Sequence, residues 1–323
     1  MDFYLGVDSG GTKTKTVIVD ADGVLRASST KGATDIFNTG VDEAKRILNA
    51  SINEVLQVTG IQRRELTCSC FGMSTYGDIP ARMPAIEEIV KSSINRDYTI
   101  INDVRAALEG AHPLRPGVVL LVGTGAMIMG KDSDDNCFRI DGWGENVGDL
   151  GSGYYIGRRG LQEAFKAYDG RNPDAGALLE AARKNMCEGG DLREIIQRCK
   201  GNNSRSYIAS FSRYVSTLAD KGDKPGLMII ERAADEVYLS LETIAKRIED
   251  PRINVSYAGG VFHSGIFSRL LNGKVNGSDR YRWSDPVTDP AFGAVIMAIK
   301  KGRRTGYIKS VERLVQKNRR MTK

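Results

Sequence analysis

Two glycine-rich bends in the sequence carry residue types that bind phosphate. The first bend lies in "GVDSGGTKTKTVIVD" and contains Gly10, Gly11 and Thr12. The second lies in "LLVGTGAMIMG" and contains Gly123, Thr124 and Gly125. Glycines allow backbone N–H groups to converge on an anion, and threonine adds a hydroxyl donor. Either bend alone is also typical of an ordinary hairpin, but the occurrence of two favours a phosphate site. Neither matches the Walker or the dinucleotide-binding pattern.

Two aspartates are placed at strand ends where they can join this chemistry. Asp8 directly precedes the first bend and is placed to hold a hydrated Mg²⁺, because this ion keeps several waters and needs few carboxylates. Asp103 follows the strand "YTII" and precedes a helix, a position that points a side chain into a cleft, although a helix N-cap has the same pattern. A third glycine segment, "AGGVFHSG" from Ala258, fits either a closely approaching ligand or tight helix packing.

The elements that position these residues form two similar halves. "FYLGVD", "TKTVIVD" and "VLRAS" predict an antiparallel meander at the start of the chain. Helical spacing at residues 42–59 and 84–94 alternates with the strands "TCSCFGM" and "YTIINDV". "GVVLLVGTGAMIMGKDSDD" then repeats the order of strand, bend, strand and Asp-rich turn, after a boundary signal at "PLRPG" (113–117). We therefore expect two related α/β lobes, the second with a mostly helical segment at 160–250.

The charge and cysteine content argue against several other classes of protein. The net charge of +6 is concentrated from Lys300 to Lys323, where ten Lys or Arg residues face one acid, and the rest of the chain carries −3. Ile308, Val311, Leu314 and Val315 recur there at helical spacing, so we interpret the segment as a C-terminal helix with a solvated basic face rather than a nucleic-acid site.

The five cysteines have no zinc-ligand spacing, and we expect them to be reduced. No apolar run approaches the ~18 residues that span a bilayer, and the N-terminus lacks the parts of a signal peptide. We expect a cytoplasmic protein with no membrane or nucleic-acid partner.

Six motifs in order resemble the BadF/BadG/BcrA/BcrD group of the actin, sugar-kinase and Hsp70 superfamily, and within it the N-acetylglucosamine kinase-like sugar kinases. "GVDSGGTKTKTVIVD" resembles the first phosphate motif, "NDVRAALEGA" the segment of the catalytic aspartate and "LLVGTGAMIMG" the second phosphate motif. "GWGENVGDLGSGYYIG" resembles the sugar signature, "YAGGVF" the adenosine motif and "DPAFGAVIMA" the closing helix. The resemblance runs from residue 3 to about residue 299.

The resemblance implies an α/β fold of two actin-like, ribonuclease H-like lobes with a nucleotide cleft between them. It implies an N-terminal lobe at 1–114, a C-terminal lobe at 115–300 with a helical insert at about 165–230, and a basic helix at 301–323 packed on the core. The implied activity is transfer of phosphate from ATP to a sugar hydroxyl, with Mg²⁺ as the metal ion. Relatives are often dimers, so the resemblance also implies a homodimer.

The resemblance also implies roles for individual residues. Asp103 is the general base, and Asp8 orients Mg²⁺ through water. The residues implied at the ATP phosphates are Gly10, Gly11, Thr12, Lys13, Gly123, Thr124 and Gly125. The residues implied at adenosine are Gly259, Gly260 and Val261. The residues implied at the sugar are Asp35, Asn38, Asp103, Thr124, Gly142, Trp143 and Asp149.

Three positions depart from the pattern of N-acetylglucosamine kinases. Asp35 replaces an asparagine, Met127 replaces a polar residue, and Leu150 replaces a glutamate. An ionised carboxylate only accepts hydrogen bonds, so Asp35 suits hydroxyl or ammonium groups better than an acetamide carbonyl. N-acetylglucosamine, another amino sugar, a neutral hexose and a sugar acid such as 2-keto-3-deoxygluconate therefore all remain candidates, the last with Arg105 or Lys13 as a cation.

Two functions of other classes compete with a sugar kinase. Some members of the group activate 2-hydroxyacyl-CoA dehydratases and hold a [4Fe–4S] cluster between two subunits. A cluster cysteine is expected soon after the second phosphate motif, but the nearest one is Cys137 in the Asp-rich hairpin. A nucleotide switch without an enzymatic role does not need the sugar signature from Trp143 to Asp149.

Overall fold

A computed structural model of the chain describes residues 2–94, 96–188, 190–201, 203–303 and 305–318, without the side chains of residues 37 and 38. The strands are β1 (Phe3–Ser9), β2 (Thr14–Asp20), β3 (Leu25–Lys31), β4 (Leu66–Met73), β5 (Tyr98–Asn102), β6 (Gly117–Val122), β7 (Ala126–Lys131), β8 (Cys137–Asp141), β9 (Ile253–Ala258) and β10 (Tyr281–Trp283). The helices are α1 (Ile36–Thr39), α2 (Val41–Thr59), α3 (Met83–Ser93), α4 (Asp103–Ala111), α5 (Gly153–Tyr168), α6 (Gly176–Met186), α7 (Arg193–Arg198), α8 (Ser204–Ser210), α9 (Ser212–Asp220), α10 (Lys224–Ala245), α11 (Gly265–Asn276), α12 (Pro290–Gly302) and α13 (Tyr307–Asn318).

The chain forms two compact units. The first unit contains the residues up to Arg115 together with those from Asp285 onward, and the second unit spans Pro116–Ser284. The sequence prediction assigned everything from 115 to 300 to the second lobe, and for the segment that contains α12 this is wrong. Helix α12 packs on β1, β4 and α4 instead, because its Ala, Val and Ile face completes the apolar core of the first unit.

The sheet of the first unit has the strand order β3-β2-β1-β4-β5. Strands β1, β2 and β3 are antiparallel, as predicted, whereas β4 and β5 run parallel to β1. Alternate residues of β1 enter different cores: Tyr4 packs with α4, α12 and α13, and Leu5 packs with α2 and α3. Both faces of the sheet are therefore covered by helices, which holds the carboxyl end of β1 rigidly.

The sheet of the second unit has the equivalent order, β10-β9-β6-β7-β8. Strands β6, β7 and β8 again form an antiparallel meander, and β9 and β10 again run parallel to β6. The similarity noted between the two strand-bend-strand segments thus corresponds to the same topology in each unit. Helices α5 to α11 supply one large apolar core, which includes the predicted helical insert.

The C-terminal helix packs on the first unit. Val311 and Leu314 are buried against the sheet, and the amide of Asn318 donates to the carbonyl of Gly23 at 3.2 Å. Ile308, which the spacing placed on the same stripe, is half exposed. Lys309, Arg313 and Lys317 are exposed. None of the described helices is long and apolar enough to cross a membrane.

Candidate active site

The first glycine bend is anchored by backbone and hydroxyl groups of the first unit. The amide of Gly10 donates to the carbonyl of Lys13 at 3.0 Å, closing the turn between β1 and β2. Beneath it, the buried hydroxyls of Ser9 and Thr14 both contact the hydroxyl of Thr34, the latter at 2.8 Å. Gly11, Thr12 and Lys13 are exposed at the tip of the bend. The predicted phosphate ligands at the tip of the bend are therefore exposed to solvent, and the hydrogen bonds beneath them hold the bend in place.

Asp8 lies where several charges converge. Its pKa is raised to about 7, first by burial and then by the charges of Asp103 and Asp289, while Lys13 and Lys15 oppose the shift. The structure thus brings Asp8 and Asp103 together electrostatically and adds Asp289, which the sequence analysis did not select. A carboxylate that is costly to ionise beside two others fits a divalent cation. Among the described residues no group of three acidic, His or Cys side chains has the geometry of a metal site.

Lys15 was also missed by the sequence analysis. It lies opposite Asp8 in the register of β1 and β2 and forms an ion pair with Asp289. Asp289 caps α12, accepting from the amide of Ala291 at 3.0 Å. A lysine in the apolar strand "TKTVIVD" and a capping aspartate in "DPAFG" are visible signals, but their pairing joins segments from opposite ends of the chain.

Asp103 is the first residue of α4, and the N-cap is its neighbour. The side chain of Asn102 accepts from the amide of Val104 at 2.9 Å and donates to the carboxylate of Asp78 at 3.2 Å. The pKa of Asp103 is raised to about 6, first by burial and then by the charges of Asp78 and Asp35, while the amide of Val104 opposes the shift. Asn102, not Asp103, is therefore the N-cap of α4. The raised pKa of Asp103 favours a functional carboxyl group.

Asp35 lies within electrostatic reach of Asp103 and of a nearby arginine. Burial lowers the pKa of Arg82, and the charge of Asp35 opposes that shift. Asp78 and Arg82 are therefore members of this cluster that the sequence analysis missed. The side chain of Asn38 lies outside the described part of the structure.

Arg105, considered as a cation for a sugar acid, is occupied elsewhere. Its guanidinium lies 2.6 Å from the fully buried carboxylate of Glu109, which also pairs with Lys300 at 3.1 Å. Only 14% of the Arg105 side chain is exposed. The three residues join α4 to α12. Because Arg105 is paired with Glu109, the structure does not support a role for Arg105 at a sugar carboxylate.

The second glycine bend is bound to α5 in the second unit. The amide of Gly123 donates to the carbonyl of Gly125 at 2.8 Å, which closes the turn between β6 and β7. The amides of Gly153 and Tyr154, at the start of α5, donate to the carbonyls of Gly123 and Thr124 at 2.8 and 3.1 Å. The start of α5 therefore fixes the bend that follows β6.

Asp149 is buried in the second unit, although a sugar ligand is usually accessible to solvent. It is 3% exposed, and its carboxylate accepts from the amide of Ala126 at 3.3 Å and pairs with Arg205 of α8. Burial raises the pKa of Asp149, and the charge of Arg205 opposes the shift. Arg205, unnoticed in the sequence, also lies 3.2 Å from Glu145.

The rest of the sugar signature forms a loop organised by Asp141. Its carboxylate accepts from the amides of Gly142, Asp149 and Leu150 at 2.7 to 2.8 Å. Trp143 is 65% exposed, with the guanidinium of Arg139 4.6 Å from its ring centroid. A core role for this tryptophan is therefore excluded, and its role at a sugar stays a prediction.

The three departures from the family pattern have different surroundings. Met127 is buried beneath Gly142, where an added methyl group would lie 2.6 Å from its terminal carbon. Leu150 is exposed at the loop. Met127 thus shapes the loop from below, whereas Asp35 belongs to the cluster around Asp103.

The adenosine motif adjoins an aromatic stack. Gly259 has a φ of 104°, and a side chain there would overlap the carbonyl of Val122, so the close approach of β9 to β6 requires glycine. Gly260 begins a short 3₁₀ turn with Val261 and has open space beside it. Behind the turn, the rings of Tyr257 and Trp283 stack at 5.0 Å.

Each unit thus has a mixed five-stranded sheet of the same order with a glycine bend after its first strand, which is the arrangement of an actin-like fold. The chain belongs to the BadF/BadG/BcrA/BcrD ATPase family, whose sequence profile matches residues 5–298.

Individual relatives agree with this assignment. The chain is 29% identical to the N-acetylmuramic acid/N-acetylglucosamine kinase of Clostridium acetobutylicum, over 92% of this chain and 98% of that protein. It is also 29% identical to the N-acetyl-D-glucosamine kinase of Dictyostelium discoideum, over 92% and 98% of the two chains. The crystal structure of a putative N-acetylglucosamine kinase from Chromobacterium violaceum shares the fold, with a TM-score of 0.76, 21% identity, and coverage of 92% of this chain and 98% of that chain.

Proposed function

We propose that this chain is a carbohydrate kinase that transfers the γ-phosphate of ATP to a hydroxyl of an N-acetylated or related amino sugar. The curated relatives that match over nearly their whole length are kinases of such sugars. Within this chain, the proposal is supported most by the environment of Asp103. This carboxyl group directly follows β5 near Asp35 and Asp78, and its pKa is raised to about 6.

Asp103 acts as the general base in this proposal. Its ionised carboxylate takes the proton of the attacking sugar hydroxyl as the new oxygen–phosphorus bond forms. The bond between the γ-phosphorus and the bridging oxygen breaks, and its electron pair leaves with ADP. A pKa near 6 leaves the group ionised at neutral pH while keeping it a stronger base than an ordinary aspartate.

The ATP phosphates are assigned to residues of the two glycine bends. The assigned residues are Gly10, Gly11, Thr12 and Lys13 in the first bend and Gly123, Thr124 and Gly125 in the second. Lys15 adds a charge next to Asp8. Asp8 would hold Mg²⁺, and the bound ion would neutralise phosphate charge. The exposure of the first bend and the raised pKa of Asp8 support these assignments.

Adenosine is assigned to Gly259, Gly260 and Val261. The open space beside Gly260 and the aromatic stack behind the turn support this placement.

The sugar is recognised by hydrogen-bond acceptors and one exposed aromatic face. Asp35 and Asp149 accept from sugar hydroxyls, and Trp143 packs against the ring with Gly142 and Thr124 near it. Asn38 completes the predicted set. Because Asp35 stands where an asparagine is usual, the ranking of sugars depends on this residue.

We propose that the enzyme is cytoplasmic and forms a homodimer. Light scattering during size-exclusion chromatography measures the mass of the assembly and tests the homodimer directly.

A coupled ADP-release screen tests the proposed function. The purified chain is assayed with Mg²⁺ and ATP against amino sugars with and without the acetyl group, neutral hexoses and keto-deoxy sugar acids, and the phosphorylated product is identified by ³¹P NMR. Stimulation of ADP release by an amino sugar supports the proposal. ADP release that no sugar stimulates contradicts it.

The same screen with Asp35→Asn tests the role of Asp35. We expect the variant to shift the ranking toward N-acetylated sugars, because the amide can donate as well as accept. An unchanged ranking overturns this role and leaves the kinase proposal intact.

A further inference from the structure

We propose that Arg205, in the helical segment of the second unit, is a positioning residue that holds the Asp149 carboxylate for sugar binding. This inference rests on the proposed function. Arg205 lies 56 positions from Asp149 in the sequence, yet its guanidinium contacts the inner carboxylate oxygen of that residue. The same arginine lies 3.2 Å from Glu145, so it bridges two acidic residues of the sugar-signature loop.

The second glycine bend approaches this arginine so closely that position 125 has no room for a side chain. A methyl group at Gly125 would lie 2.5 Å from the guanidinium nitrogen of Arg205 and 2.8 Å from the Asp149 carboxylate. The other oxygen of Asp149 accepts from the amide of Ala126, directly after the bend. Asp149 therefore touches both the bend and Arg205, and any residue larger than glycine at position 125 displaces them.

The helix that carries Arg205 is fixed in its turn by α5. A side chain at Gly157 would overlap the carbonyl of Ile208, so α5 and α8 are in backbone contact there. Gly160 makes similar room for Val215 and Phe211 of the next segment. The contact at Gly157 accounts for one glycine of "GSGYYIG" that no ligand role explained.

The contacts form a closed ring. The bend is held by the start of α5, α5 is held against α8, α8 carries Arg205, and Arg205 grips Asp149, whose carboxylate returns to the bend at Ala126. An ion pair placed in such a ring fixes the direction of the carboxylate rather than merely neutralising it. The helical segment thereby becomes part of the sugar site.

Arg205 also favours the ionised form of Asp149. Burial and the charge of Asp141 both raise the pKa of Asp149, and Arg205 lowers it. The ionised carboxylate only accepts hydrogen bonds, whereas the protonated carboxyl group uses one oxygen as a donor and is the weaker acceptor for a sugar hydroxyl. Loss of Arg205 therefore weakens sugar binding most strongly at low pH, which a purely structural contact would not do.

The test compares steady-state kinetics of Arg205→Ala, Arg205→Lys and Asp149→Asn with the wild type between pH 5.5 and 8.5. Removing a hydrogen bond to a charged group predicts a rise of about 10- to 100-fold in the sugar KM of Arg205→Ala, with a smaller change in the ATP KM. The acidic limb of kcat/KM for the sugar should move to higher pH, and Arg205→Lys should restore much of it. Arg213→Ala, at an exposed arginine of α9, is the matched control.

The double variant Arg205→Ala/Asp149→Asn decides whether Arg205 acts through Asp149. We expect it to be no worse than Asp149→Asn alone, because the second loss has nothing left to position. Multiplied effects, or a wild-type sugar KM and pH profile in Arg205→Ala, overturn the inference. If Arg205→Ala does not fold, the pH profile of Arg205→Lys carries the test. Absence of sugar-dependent turnover in the wild type contradicts the proposed function itself, whereas unaffected Arg205 variants contradict only this inference.

Discussion

Lys15 of β2 forms an ion pair with Asp289, the N-cap of α12, although 274 positions of sequence separate them. Asp289 also raises the pKa of Asp8, whereas Lys15 lowers it, so the pair belongs to the charge balance beside the first glycine bend. The ring of Phe292, one turn into α12, lies 5.9 Å from the Lys15 ammonium group. A helix from the end of the chain thus helps to set the charge at the end of its first strand.

Lys15→Ala should weaken the binding of Mg·ATP by about tenfold or more, because the positive charge that offsets Asp8 and Asp289 beside the proposed phosphate site is lost. Isothermal titration calorimetry with a non-hydrolysable ATP analogue measures the effect. Lys31→Ala, which removes a half-exposed lysine of the neighbouring strand, is the control and should leave affinity unchanged. Equal affinities in the two variants would count against a phosphate role for Lys15.

The activity should depend on pH through Asp103. Its pKa is raised to about 6, so the base is ionised above that pH and protonated below it. The value of kcat/KM for the sugar should therefore be flat near neutrality and fall about tenfold per unit below pH 6. Because the charge of Asp78 raises this pKa, Asp78→Asn should move the limb to lower pH. A limb near pH 4 in the wild type would contradict the assignment.

Gly293 should be essential to the packing of α12 on α4. A side chain at this position would overlap the carbonyl of Ala106 and lie 2.6 Å from the amide of Gly110. Gly293→Ala should cost about 1 to 3 kcal/mol of unfolding free energy, as overpacking does, and should lower kcat because α4 begins at Asp103. Urea denaturation and turnover are measured together.

Gly273→Ala is the matched control for Gly293→Ala. Gly273 lies inside α11 with open space beside it, so alanine should be neutral or stabilising by up to about 1 kcal/mol. If both substitutions have the same effect, the close contact of α4 and α12 is not what Gly293 provides.

Glu109→Gln should be strongly destabilising. Glu109 is fully buried between Arg105 and Lys300, and its neutralisation leaves two partly buried cations without their shared counter-charge. A loss of about 3 to 5 kcal/mol is expected in chemical denaturation. Glu43→Gln, at an exposed pair with Arg46, should change stability by less than about 1 kcal/mol. A small effect at Glu109 would mean that the buried pair adds little to stability.

The local features of the fold could be read from the sequence. Strand periodicity, the glycine bends and the position of Asp103 at a strand end depend on neighbouring residues, and the strands and helices appear close to their predicted bounds. The repeated strand-bend-strand pattern predicts two related α/β lobes, but it does not predict where the parallel strands lie in each sheet. These signals lie within windows of fewer than twenty residues.

The missed features depend on contacts between distant segments. Nothing near Lys15 indicates Asp289, and nothing near Asp149 indicates Arg205. The prediction also placed α12 in the wrong unit, because the apolar face of that helix fits any core and its partners are β1 and α4. The resemblance implies Asp149 as a sugar ligand, but it does not indicate that the residue is buried against Arg205 of α8, a helix that carries no motif.

The most direct test of the account is phosphoryl transfer by Asp103→Asn. The amide keeps the size of the side chain and its ability to accept from the amide of Val104, but it cannot take a proton from the sugar hydroxyl. In single-turnover assays with the sugar found by the screen, we expect phosphosugar formation to fall by about 10²- to 10⁴-fold, while Mg·ATP binding stays within about threefold of the wild type. Near-normal phosphoryl transfer by this variant would contradict the central claim that Asp103 is the catalytic base.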